Sequence, residues 1–425
     1  MKITDLNGKN VCILGFGKEG QATYATLGRY APKAHVTVAD GNPNVTAPDG
    51  VPVITGPDYL EKLDGFDAII KSPGIPWTPG EPLRSKLTSG TEIFLDSLPE
   101  NVQVIGVTGT KGKSTTSNLI YQVLKAGGID AFLAGNIGEP MLGFLEQARP
   151  GVTFVLELSS YQLETLKTSP HIAVVTSFFP DHLDYHKGVK NYHEAKKNIA
   201  RYQKPGDIVF YNPSYKECLE IASLSAGEHV PFVPEDYPGK PNPRVAGRQN
   251  TSNLAAAYKV ARYCGVDEAV AVRALEEAKG LPHRQEPLGT HGGINWVDDS
   301  AANTPEAAVS AIQTLGDTVD TIIIGGLDRG YDLTELAKTL ASTNIPNLII
   351  FPETGPKLRD LIEAMPGHQP KAFFETTDMV EAVRYAADHT EKGKTVLLSN
   401  GAPSYNLFKN FTERARTFKE AIEAL

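Results

Sequence analysis

A glycine-rich segment at residues 106–116 carries the residue types that bind the phosphates of a nucleotide. It reads Gly-Val-Thr-Gly-Thr-Lys-Gly-Lys-Ser-Thr-Thr, and the apolar run 102–107 leads into it as a predicted buried strand. A helix is predicted over 114–126. Glycines let the backbone close around an anion, and the N-terminus of the helix adds its positive end. We therefore expect Lys113 to reach the β- and γ-phosphates and Ser114 to bind Mg²⁺.

The spacing of this loop differs from that of the general phosphate-binding motif, which places four residues between its first glycine and the Gly-Lys pair. Here Gly109 leaves two residues before Gly112, and Gly106 leaves five. A glycine-rich turn that binds nothing is the simplest alternative. Gly-Lys-Ser-Thr-Thr at a strand-to-helix junction favours phosphate binding, because a bare turn needs no lysine or hydroxyl there.

A second glycine-rich loop lies near the start of the chain, where residues 15–20 read Gly-Phe-Gly-Lys-Glu-Gly. A predicted strand over 11–14 precedes it, a helix to about Tyr30 follows, and a strand over 35–39 ends at Asp40. This pattern matches the dinucleotide fingerprint, including an acidic residue 20 positions after the last glycine. Three interpretations remain open: a ligand with a nucleotide diphosphate, NAD or FAD, or a tight turn without a ligand.

Two further strands end in residues that could bind a metal ion. Glu157 closes an apolar run, and a carboxylate at the C-terminal end of a strand lies in the crevice where open α/β sheets bind ligands. His182 and His186 follow a predicted strand over 172–177. A zinc site would need further cysteine or histidine ligands at a suitable spacing, which the sequence does not provide. We therefore expect Mg²⁺ at Glu157, with His186 and His193 as surface or helix-cap residues.

The rest of the chain alternates strands and helices, which predicts an α/β protein. A chain of 425 residues is too long for one hydrophobic core, and about one domain per 150 residues suggests three domains. Polar stretches place these domains at 1–97, 98–281 and 282–425. In the last one we predict a doubly wound sheet, with a helix over 305–315 and a strand over 395–398.

Composition excludes several classes of function. A formal net charge of -9 argues against a protein that binds nucleic acid or an anionic membrane surface. Cys12, Cys218 and Cys264 are odd in number and widely spaced, so free thiols are expected rather than disulfides. No run approaches the 18 apolar residues of a membrane span, and no signal peptide is recognisable. We therefore expect a soluble, cytoplasmic monomer whose partners are small molecules.

Four motifs resemble those of the Mur ligase family, the enzymes that add amino acids to peptidoglycan precursors. They are Thr-Gly-Thr-Lys-Gly-Lys-Ser at 108–114, Gly-Asn-Ile-Gly at 135–138, Glu-Leu-Ser-Ser-Tyr-Gln-Leu-Glu at 157–164 and Asp-His-Leu-Asp-Tyr-His at 181–186. The family usually has Asn where this chain has Lys111. The resemblance implies an α/β fold of three domains: N-terminal Rossmann-like, central P-loop NTPase-like and C-terminal Rossmann-like.

The resemblance also implies an ATP site with Mg²⁺ in the central domain. It gives catalytic roles to Lys113, His182 and Lys196, and it implies a carbamate on Lys196, formed with CO₂, that turns a cation into an anionic metal ligand. The implied metal ligands are Ser114, Glu157, His182 and Lys196. The implied ATP contacts are Gly109, Thr110, Lys111, Gly112, Lys113, Ser114, Thr115, Asn253, Arg284 and Asp299.

Two substrate sites follow from the same resemblance. The implied contacts to the sugar nucleotide UDP-N-acetylmuramoyl-L-alanine are Gly15, Phe16, Gly17, Lys18, Asp40, Ser72, Pro73, Gly74 and Asn136. In the C-terminal part, Leu398-Ser399, Ser404 and Phe-Lys-Asn-Phe at 408–411 resemble the pattern of family members that add D-glutamate. This resemblance implies contacts to that amino acid from Arg329, Ser404 and Phe411. Two positions depart from the family pattern, since Ala301 and Arg329 stand where lysines are usual.

The chemistry implied by the family is phosphorylation of the substrate carboxylate by ATP, attack of the amine on the acyl phosphate, and release of phosphate. Because the ATP loop and the amino-acid contacts fall in different predicted domains, domain closure is expected. Three alternatives remain open: a family member that adds another amino acid, an NAD-dependent oxidoreductase that uses residues 15–40, and a nucleotide-hydrolysing switch that uses the loop at 106–116.

Overall fold

The computed structural model describes residues 1–136, 140–240, 242–245 and 248–425. Residues 137 and 138 of the Gly-Asn-Ile-Gly motif lie outside this description. The chain divides into two compact units. Unit 1 comprises Met1–Asn242 and Arg248–Ala278, and unit 2 comprises Lys279–Leu425 with the described part of Pro243–Gly247.

The first sheet of unit 1 has five parallel strands. They are β1 (Asn10–Leu14), β2 (His35–Ala39), β3 (Val53–Ile54), β4 (Ala68–Lys71) and β5 (Leu87–Thr88). Their spatial order is β3-β2-β1-β4-β5, the order of a Rossmann fold, so the loops after β1 and β4 flank the ligand-binding crevice. The helices are α1 (Lys18–Tyr30), α2 (Leu83–Lys86) and α3 (Gly90–Ser97), with 3-10 helices at Ile3–Leu6 and Tyr59–Lys62.

The second sheet of unit 1 has six parallel strands. They are β6 (Gln103–Thr108), β7 (Ala131–Gly135), β8 (Thr153–Glu157), β9 (Ile172–Val175), β10 (Ile208–Tyr211) and β11 (Glu228–Pro231), in the order β11-β10-β9-β6-β8-β7. The helices are α4 (Lys113–Ala126), α5 (Ser160–Leu163), α6 (Leu183–His186), α7 (Val189–Arg201), α8 (Lys216–Ala222), α9 (Arg248–Tyr263) and α10 (Glu268–Glu277). Short 3-10 helices occur at Met141–Gln147 and Pro234–Asp236.

Unit 2 contains the third sheet. Its strands are β12 (Glu286–His291), β13 (Ile294–Asp298), β14 (Val319–Gly326), β15 (Asn347–Glu353), β16 (Ala372–Glu375) and β17 (Thr395–Leu398), in the order β12-β13-β17-β14-β15-β16. Only the pair β12 and β13 is antiparallel in this sheet. The helices are α11 (Pro305–Leu315), α12 (Thr334–Ser342), α13 (Thr354–Glu363), α14 (Met379–His389) and α15 (Phe411–Glu423), with 3-10 helices at Pro243–Val245 and Gly316–Thr318.

Consecutive isoleucines in β14 show why the third sheet is covered by helices on both faces. Ile322 and Ile324 belong to one hydrophobic core, which includes Leu336 of α12. Ile323 belongs to a second core, which includes Phe418 of α15. Neighbouring side chains of a strand point to opposite faces, and a parallel sheet needs both faces buried. The continuous apolar run therefore produces the predicted doubly wound layer.

A hydrophobic core joins the two sheets of unit 1. It includes Ile13 of the first sheet, Phe94 of α3 and Phe154 of the second sheet. The rings of Phe94 and Phe154 pack edge to face with their centroids 5.2 Å apart. Helix α3 was not among the predicted helices, because its sequence offers one short apolar run before polar residues. Its burial depends on contacts with the second sheet.

The predicted α/β fold class is confirmed by three sheets with predominantly parallel strands. The helix over 305–315 and the strand over 395–398 have the predicted bounds. Strands β3 and β5 were not predicted, since two-residue edge strands leave no periodic pattern. The domain boundaries after residues 97 and 281 stay predictions. Among the described residues, no helix combines the length and apolar character that a membrane crossing requires.

Candidate functional site

The glycine-rich loop at 106–116 connects β6 to the N-terminus of α4, as predicted. Gly109 and Gly112 have positive φ angles of 150° and 85°. A Cβ atom at Gly109 would lie 2.0 Å from the Thr176 hydroxyl oxygen, and one at Gly112 would lie 2.6 Å from Asn253 Oδ1. Both positions require glycine because the backbone conformation and the close neighbours leave no room for a side chain.

The end of strand β9 holds this loop in place. The Lys111 N–H donates to Ser177 Oγ at 2.9 Å, and the Thr176 hydroxyl donates to the Lys111 carbonyl at 2.6 Å. The Thr110 hydroxyl lies 3.0 Å from the Phe179 carbonyl and 2.9 Å from the Tyr192 hydroxyl. These groups fix the loop conformation, and the roles of Thr110 and Lys111 as ATP contacts stay predictions.

Two lysines converge on the loop. Lys113 Nζ donates to the carbonyls of Gly109 and Thr110 at 3.0 and 2.8 Å. Lys196, on α7, is 1% exposed, and its Nζ donates to the same Gly109 carbonyl at 2.8 Å. Burial, followed by the charge of Lys113, lowers the Lys196 pKa well below its ordinary value. The structure thus places Lys196 directly against the loop.

Glu157, the last residue of β8, is a buried carboxylate with one oxygen unsatisfied. Its Oε1 accepts a hydrogen bond from Asn136 Nδ2 at 2.8 Å. Its Oε2 has no hydrogen-bond partner in the described part of the chain. A buried carboxylate oxygen is costly unless it is paired or coordinates a cation, and oxygen is the ligand that Mg²⁺ prefers. The residue therefore fits a magnesium site.

His182 lies just before α6 with a left-handed backbone, φ 54°. Its ring is half-exposed and packs against Tyr161, with centroids 5.1 Å apart. Burial lowers its pKa, Asp181 opposes this, and the nearby Lys113 adds to the lowering. A neutral imidazole is the form that can coordinate a metal ion.

The prediction for His186 was a surface or helix-cap position; the residue does end helix α6, but a surface position is wrong. His186 is buried, its Nε2 lies 2.9 Å from Ser160 Oγ, and its ring stacks on Tyr161. Burial lowers its pKa to about 4. His193 is half-buried, with Nε2 3.3 Å from the Glu217 carbonyl. The sequence showed no signal for the burial of His186 because α5, which covers it, is distant in the chain.

A cleft of about 650 Å³ opens between the first sheet and the second sheet of unit 1. Most of the predicted sugar-nucleotide contacts line it, namely Gly15, Gly17, Lys18, Asp40, Ser72, Pro73, Gly74 and Asn136. Phe16 is the exception, because its side chain is buried; its N–H donates to Asp40 Oδ2 at 2.8 Å. The Ser72 hydroxyl donates to the Gly15 carbonyl at 3.0 Å and so joins the two loops.

Residues that were not predicted as substrate contacts also line the cleft, among them Glu19, Ser159, Tyr161 and Gln162. Burial raises the Glu19 pKa, and a hydrogen bond from Gln162 opposes the shift. Ser159 and Gln162 form a capping box at the start of α5, with the Gln162 N–H donating to Ser159 Oγ at 3.3 Å. The Ser-x-x-Gln spacing after a strand is a recognisable helix-start signal, and it could have placed Ser159 and Gln162 at the C-terminal end of β8.

Asn253 also lies at the loop. Its Oδ1 accepts from the Thr116 hydroxyl at 3.2 Å, and its Nδ2 donates to Asn250 Oδ1 at 2.8 Å. Asn253 is buried against Gly112. The structure therefore places it beside the loop, and its predicted contact with ATP stays a prediction.

In unit 2, Asp299 supports the segment that carries Arg284. Its Oδ2 accepts from the Ser399 hydroxyl at 2.7 Å, and its Oδ1 accepts from the Gln285 N–H at 3.1 Å. Burial raises the Asp299 pKa to about 7. Arg284 itself is exposed.

A neighbouring pair that was not predicted holds the same segment. His283 Nδ1 lies 2.7 Å from Asp298 Oδ2, and the His283 N–H donates to Glu286 Oε2 at 2.8 Å. His283 and Gln285 both have positive φ, 64° and 46°. Such backbone angles are unfavourable for residues with side chains, so these hydrogen bonds stabilise a strained turn on both sides of Arg284.

The predicted amino-acid contacts fall in two places of unit 2. The Arg329 guanidinium lies over the exposed ring of Tyr405, 5.6 Å from its centroid. Ser404, which precedes Tyr405, is buried, and its Oγ lacks a hydrogen-bond partner in the described ranges. Phe411 instead packs against His283, with ring centroids 6.0 Å apart. Arg329 and Ser404 thus lie on adjoining loops, whereas Phe411 lies near the Arg284 segment.

Comparison with protein-family models identifies two matching regions. Residues 107–240 match the Mur ligase middle domain, and residues 283–400 match the Mur ligase glutamate ligase domain. The first match includes the glycine-rich loop, Glu157, His182 and Lys196.

Named relatives match most or all of the chain. A UDP-N-acetylmuramoyl-L-alanine--L-glutamate ligase of Salinispora tropica is 35% identical, with 99% of each chain covered. A UDP-N-acetylmuramoylalanine--D-glutamate ligase of Symbiobacterium thermophilum is also 35% identical, over 76% of this chain and 75% of the relative. A D-glutamate ligase of the same name from Streptococcus agalactiae is 32% identical, over 100% of this chain and 99% of the relative.

Solved structures share the fold at low sequence identity. The UDP-N-acetylmuramate-alanine ligase of Thermotoga maritima superposes with a TM-score of 0.60 at 18% identity, covering 98% of this chain and 99% of that one. The MurF ligase of Thermotoga maritima, solved with ADP, gives 0.58 at 16% identity, covering 100% and 97%. The near full-length relatives rule out the oxidoreductase and switch alternatives. The chain belongs to the Mur ligase family of ATP-dependent, amide-bond-forming ligases.

Proposed function

We propose that this enzyme uses ATP to join D-glutamate to UDP-N-acetylmuramoyl-L-alanine. The observation that carries the proposal is the convergence of Lys113 and Lys196 on the Gly109 carbonyl, beside a buried Glu157 with an unsatisfied oxygen. This arrangement suits a phosphoryl-transfer site that neutralises phosphate charge and holds Mg²⁺. The names of the D-glutamate ligases among its relatives support the choice of substrates.

The reaction begins with transfer of the ATP γ-phosphoryl group to the alanine carboxylate. Lys113 would neutralise charge on the β- and γ-phosphates, and Arg284 would add a second cation. The glutamate amine then attacks the acyl carbon, a C–N bond forms, the C–O bond to phosphate breaks, and the amine loses a proton. Bound Mg²⁺ supplies further neutralisation of phosphate charge. Its proposed ligands are Ser114, Glu157, His182 and carbamylated Lys196.

The carbamate on Lys196 explains how a lysine can belong to a cation site. As an ammonium group it would add positive charge next to Lys113 and repel Mg²⁺. Among the described carboxylates none pairs with Lys196, and its hydrogen bonds go to Gly109 and Thr108. Addition of CO₂ to the neutral amine, with loss of one proton, reverses the charge and presents oxygen ligands. The buried position beside a cation favours the neutral amine that this step needs.

The two substrates would occupy different parts of the chain. The cleft between the loops after β1 and β4 would hold the sugar nucleotide, with Asn136 linking that cleft to Glu157. Arg329 and Ser404 would hold glutamate, because the fork of arginine can bind a carboxylate through two hydrogen bonds. Phe411 completes the proposed glutamate set. Asn253 and Asp299 complete the proposed ATP contacts.

A second candidate is addition of L-glutamate to the same sugar nucleotide. Two relatives that cover 99% of this chain, at 35% and 34% identity, carry that name. The test is a phosphate-release assay with ATP, UDP-N-acetylmuramoyl-L-alanine and either D- or L-glutamate. We expect the higher kcat/KM with D-glutamate. Faster turnover with L-glutamate would select the second candidate, and turnover with neither would reject both.

We also propose a cytoplasmic monomer with domains at 1–97, 98–281 and 282–425. The predicted boundaries suit the three sheets, although the first two sheets share one core. Light scattering on the purified protein tests the monomer, for which a mass near 45.9 kDa is expected.

A further inference from the structure

Lys71, the last residue of β4, is a buried cation with no place in the proposed reaction. Its side chain is 3% exposed. Its Nζ donates to the Ile75 carbonyl at 2.7 Å and to the Tyr185 hydroxyl at 3.0 Å. Glu164 is the nearest carboxylate, with Oε2 4.0 Å from Nζ. Burying a lysine costs free energy that a single distant carboxylate offsets only in part. The position therefore calls for an explanation beyond packing.

Tyr185 is the partner of Lys71 across the boundary between the two sheets of unit 1. Its hydroxyl oxygen lies 3.0 Å from the Pro73 carbonyl, 3.2 Å from the Ile75 carbonyl and 3.2 Å from Glu164 Oε2. A phenol has one proton, so it donates to one of these oxygens at a time while it accepts from Lys71. The ring packs edge to face on Tyr161 at 4.4 Å.

The loop held by this hydroxyl belongs to the sugar-nucleotide cleft. Pro73 and Ile75 line that cleft together with Gly15. Ile75 Cδ1 lies only 2.8 Å from the position that a Cβ atom on Gly15 would occupy. Residues 72–75 are therefore in close contact with the glycine-rich loop at 15–20. A displacement of residues 72–75 must also displace that loop.

The proposed catalytic histidine directly precedes the helix that carries the hydroxyl. Tyr185 lies in the one-turn helix α6, and His182 is the residue before this helix. The His186 N–H donates to the His182 carbonyl at 3.1 Å, so the backbone of His182 is part of the same turn. Among the described residues, the His182 ring contacts the rings of Tyr161 and Tyr192 and lies near the Asp181 carboxylate, and no hydrogen bond of the ring is seen there. Its position therefore depends on how α6 is held.

We propose that Lys71 and Tyr185 are positioning residues that lock the sugar-nucleotide loop at 72–75 to the helix that places His182. The proposal rests on the proposed function, because it assigns the two linked segments to substrate binding and catalysis. The Tyr185 hydroxyl joins the loop to the helix. The loop conformation that binds the sugar nucleotide and the position of His182 are therefore coupled.

The test compares Tyr185→Phe with Tyr202→Phe. The first variant keeps the ring contacts and loses only the hydroxyl; the second removes a hydroxyl from a tyrosine that is 39% exposed. For Tyr185→Phe we expect the KM for UDP-N-acetylmuramoyl-L-alanine to rise and kcat to fall, each by about tenfold, the effect of losing a hydrogen bond to a charged group. The KM for ATP should change less than about twofold, and Tyr202→Phe should match the wild type.

A second measurement separates positioning from stability. In a double-mutant cycle, Lys71→Met and Tyr185→Phe should be strongly non-additive, since both remove the same link. Calorimetry should show weaker binding of UDP alone to either folded variant. Additive effects, equal changes in the KM values of both nucleotides, or unaltered UDP binding would overturn the proposal. Failure of the wild type to use the sugar nucleotide would instead reject the proposed function.

Discussion

Lys113 and Lys196 donate hydrogen bonds to one atom, the carbonyl oxygen of Gly109, at 3.0 and 2.8 Å. The two residues lie on different helices, α4 and α7, and Lys196 is fully buried. Burial is the main cause of the lowered Lys196 pKa, and the positive charge of Lys113 at the shared acceptor adds to it. The positive charge of these side chains at the loop favours the binding of an anion there.

Replacement of Lys113 should stop the first chemical step. Lys113→Ala removes the charge proposed to neutralise the β- and γ-phosphates, and we expect ligase activity to fall by roughly 10² or more with the fold intact. Phosphate release measures the loss, and thermal unfolding checks the fold. Lys125→Ala, at the exposed end of the same helix, is the matched control. Near-normal turnover of Lys113→Ala would contradict the loop assignment.

Lys196→Ala should be nearly inactive, because the carbamate oxygens would be lost from the metal site. Partial recovery with acetate is expected, since a free carboxylate can occupy the vacated ligand position. Labelling with ¹³C-bicarbonate should give a carbamate signal in the wild type and none in the variant. Lys197→Ala is the control, because Lys197 pairs with Glu194 on the partly exposed side of α7. Full activity of Lys196→Ala would refute the carbamate.

Glu157→Gln should raise the Mg²⁺ concentration needed for half-maximal activity, by roughly tenfold or more, because a neutral amide is a weaker ligand than a carboxylate. A magnesium titration of ligase activity measures the shift. Asn136→Ala should produce a smaller shift in the same direction, since Asn136 holds Glu157 through one hydrogen bond. An unchanged magnesium requirement in Glu157→Gln would place the metal elsewhere.

The stability of the protein should depend on the ionisation of Asp299. Its pKa rises from 3.8 to about 7 on folding. Between these pH values the unfolded chain releases a proton that the folded chain retains, so the free energy of unfolding falls as pH rises. The Asp299→Asn variant has no ionisable carboxyl group at this position. Its stability relative to the wild type should increase by up to roughly 4 kcal/mol between about pH 4 and pH 7. Urea unfolding at several pH values tests this, with the exposed Asp317→Asn as control.

Arg329→Ala should raise the KM for glutamate by about tenfold or more and leave the KM for ATP nearly unchanged. The reason is the loss of a charge-assisted hydrogen bond to a carboxylate. Steady-state kinetics with each substrate varied in turn measure the difference. Arg384→Ala removes another exposed arginine of unit 2 and should change neither value. Equal changes in both KM values would show that Arg329 does not hold the amino acid.

Local patterns determined the class of the fold and the position of its glycine-rich loops. Apolar runs predicted strands such as β2 and β17, and the helix over 305–315 has a proline and a capping threonine at its start. The loop at 106–116 could be predicted because its glycines, lysine and hydroxyl are neighbours in the chain. A strand followed by such a segment needs no distant residue to define it.

Only the tertiary structure decided which distant residues meet. Lys196 reaches Gly109 across 87 positions of sequence, and Tyr185 reaches Lys71 across 114. His186 was predicted at the surface or at a helix cap, and it ends α6 but is buried against α5. The pairing of His283 with Asp298 had no local signal. Contacts of this kind arise from the parallel order of the strands, which brings the loops at their C-terminal ends together. The sequence determines which residues are chemically able to bind phosphate or a metal ion, and the packing of the sheets determines which of them lie in one site.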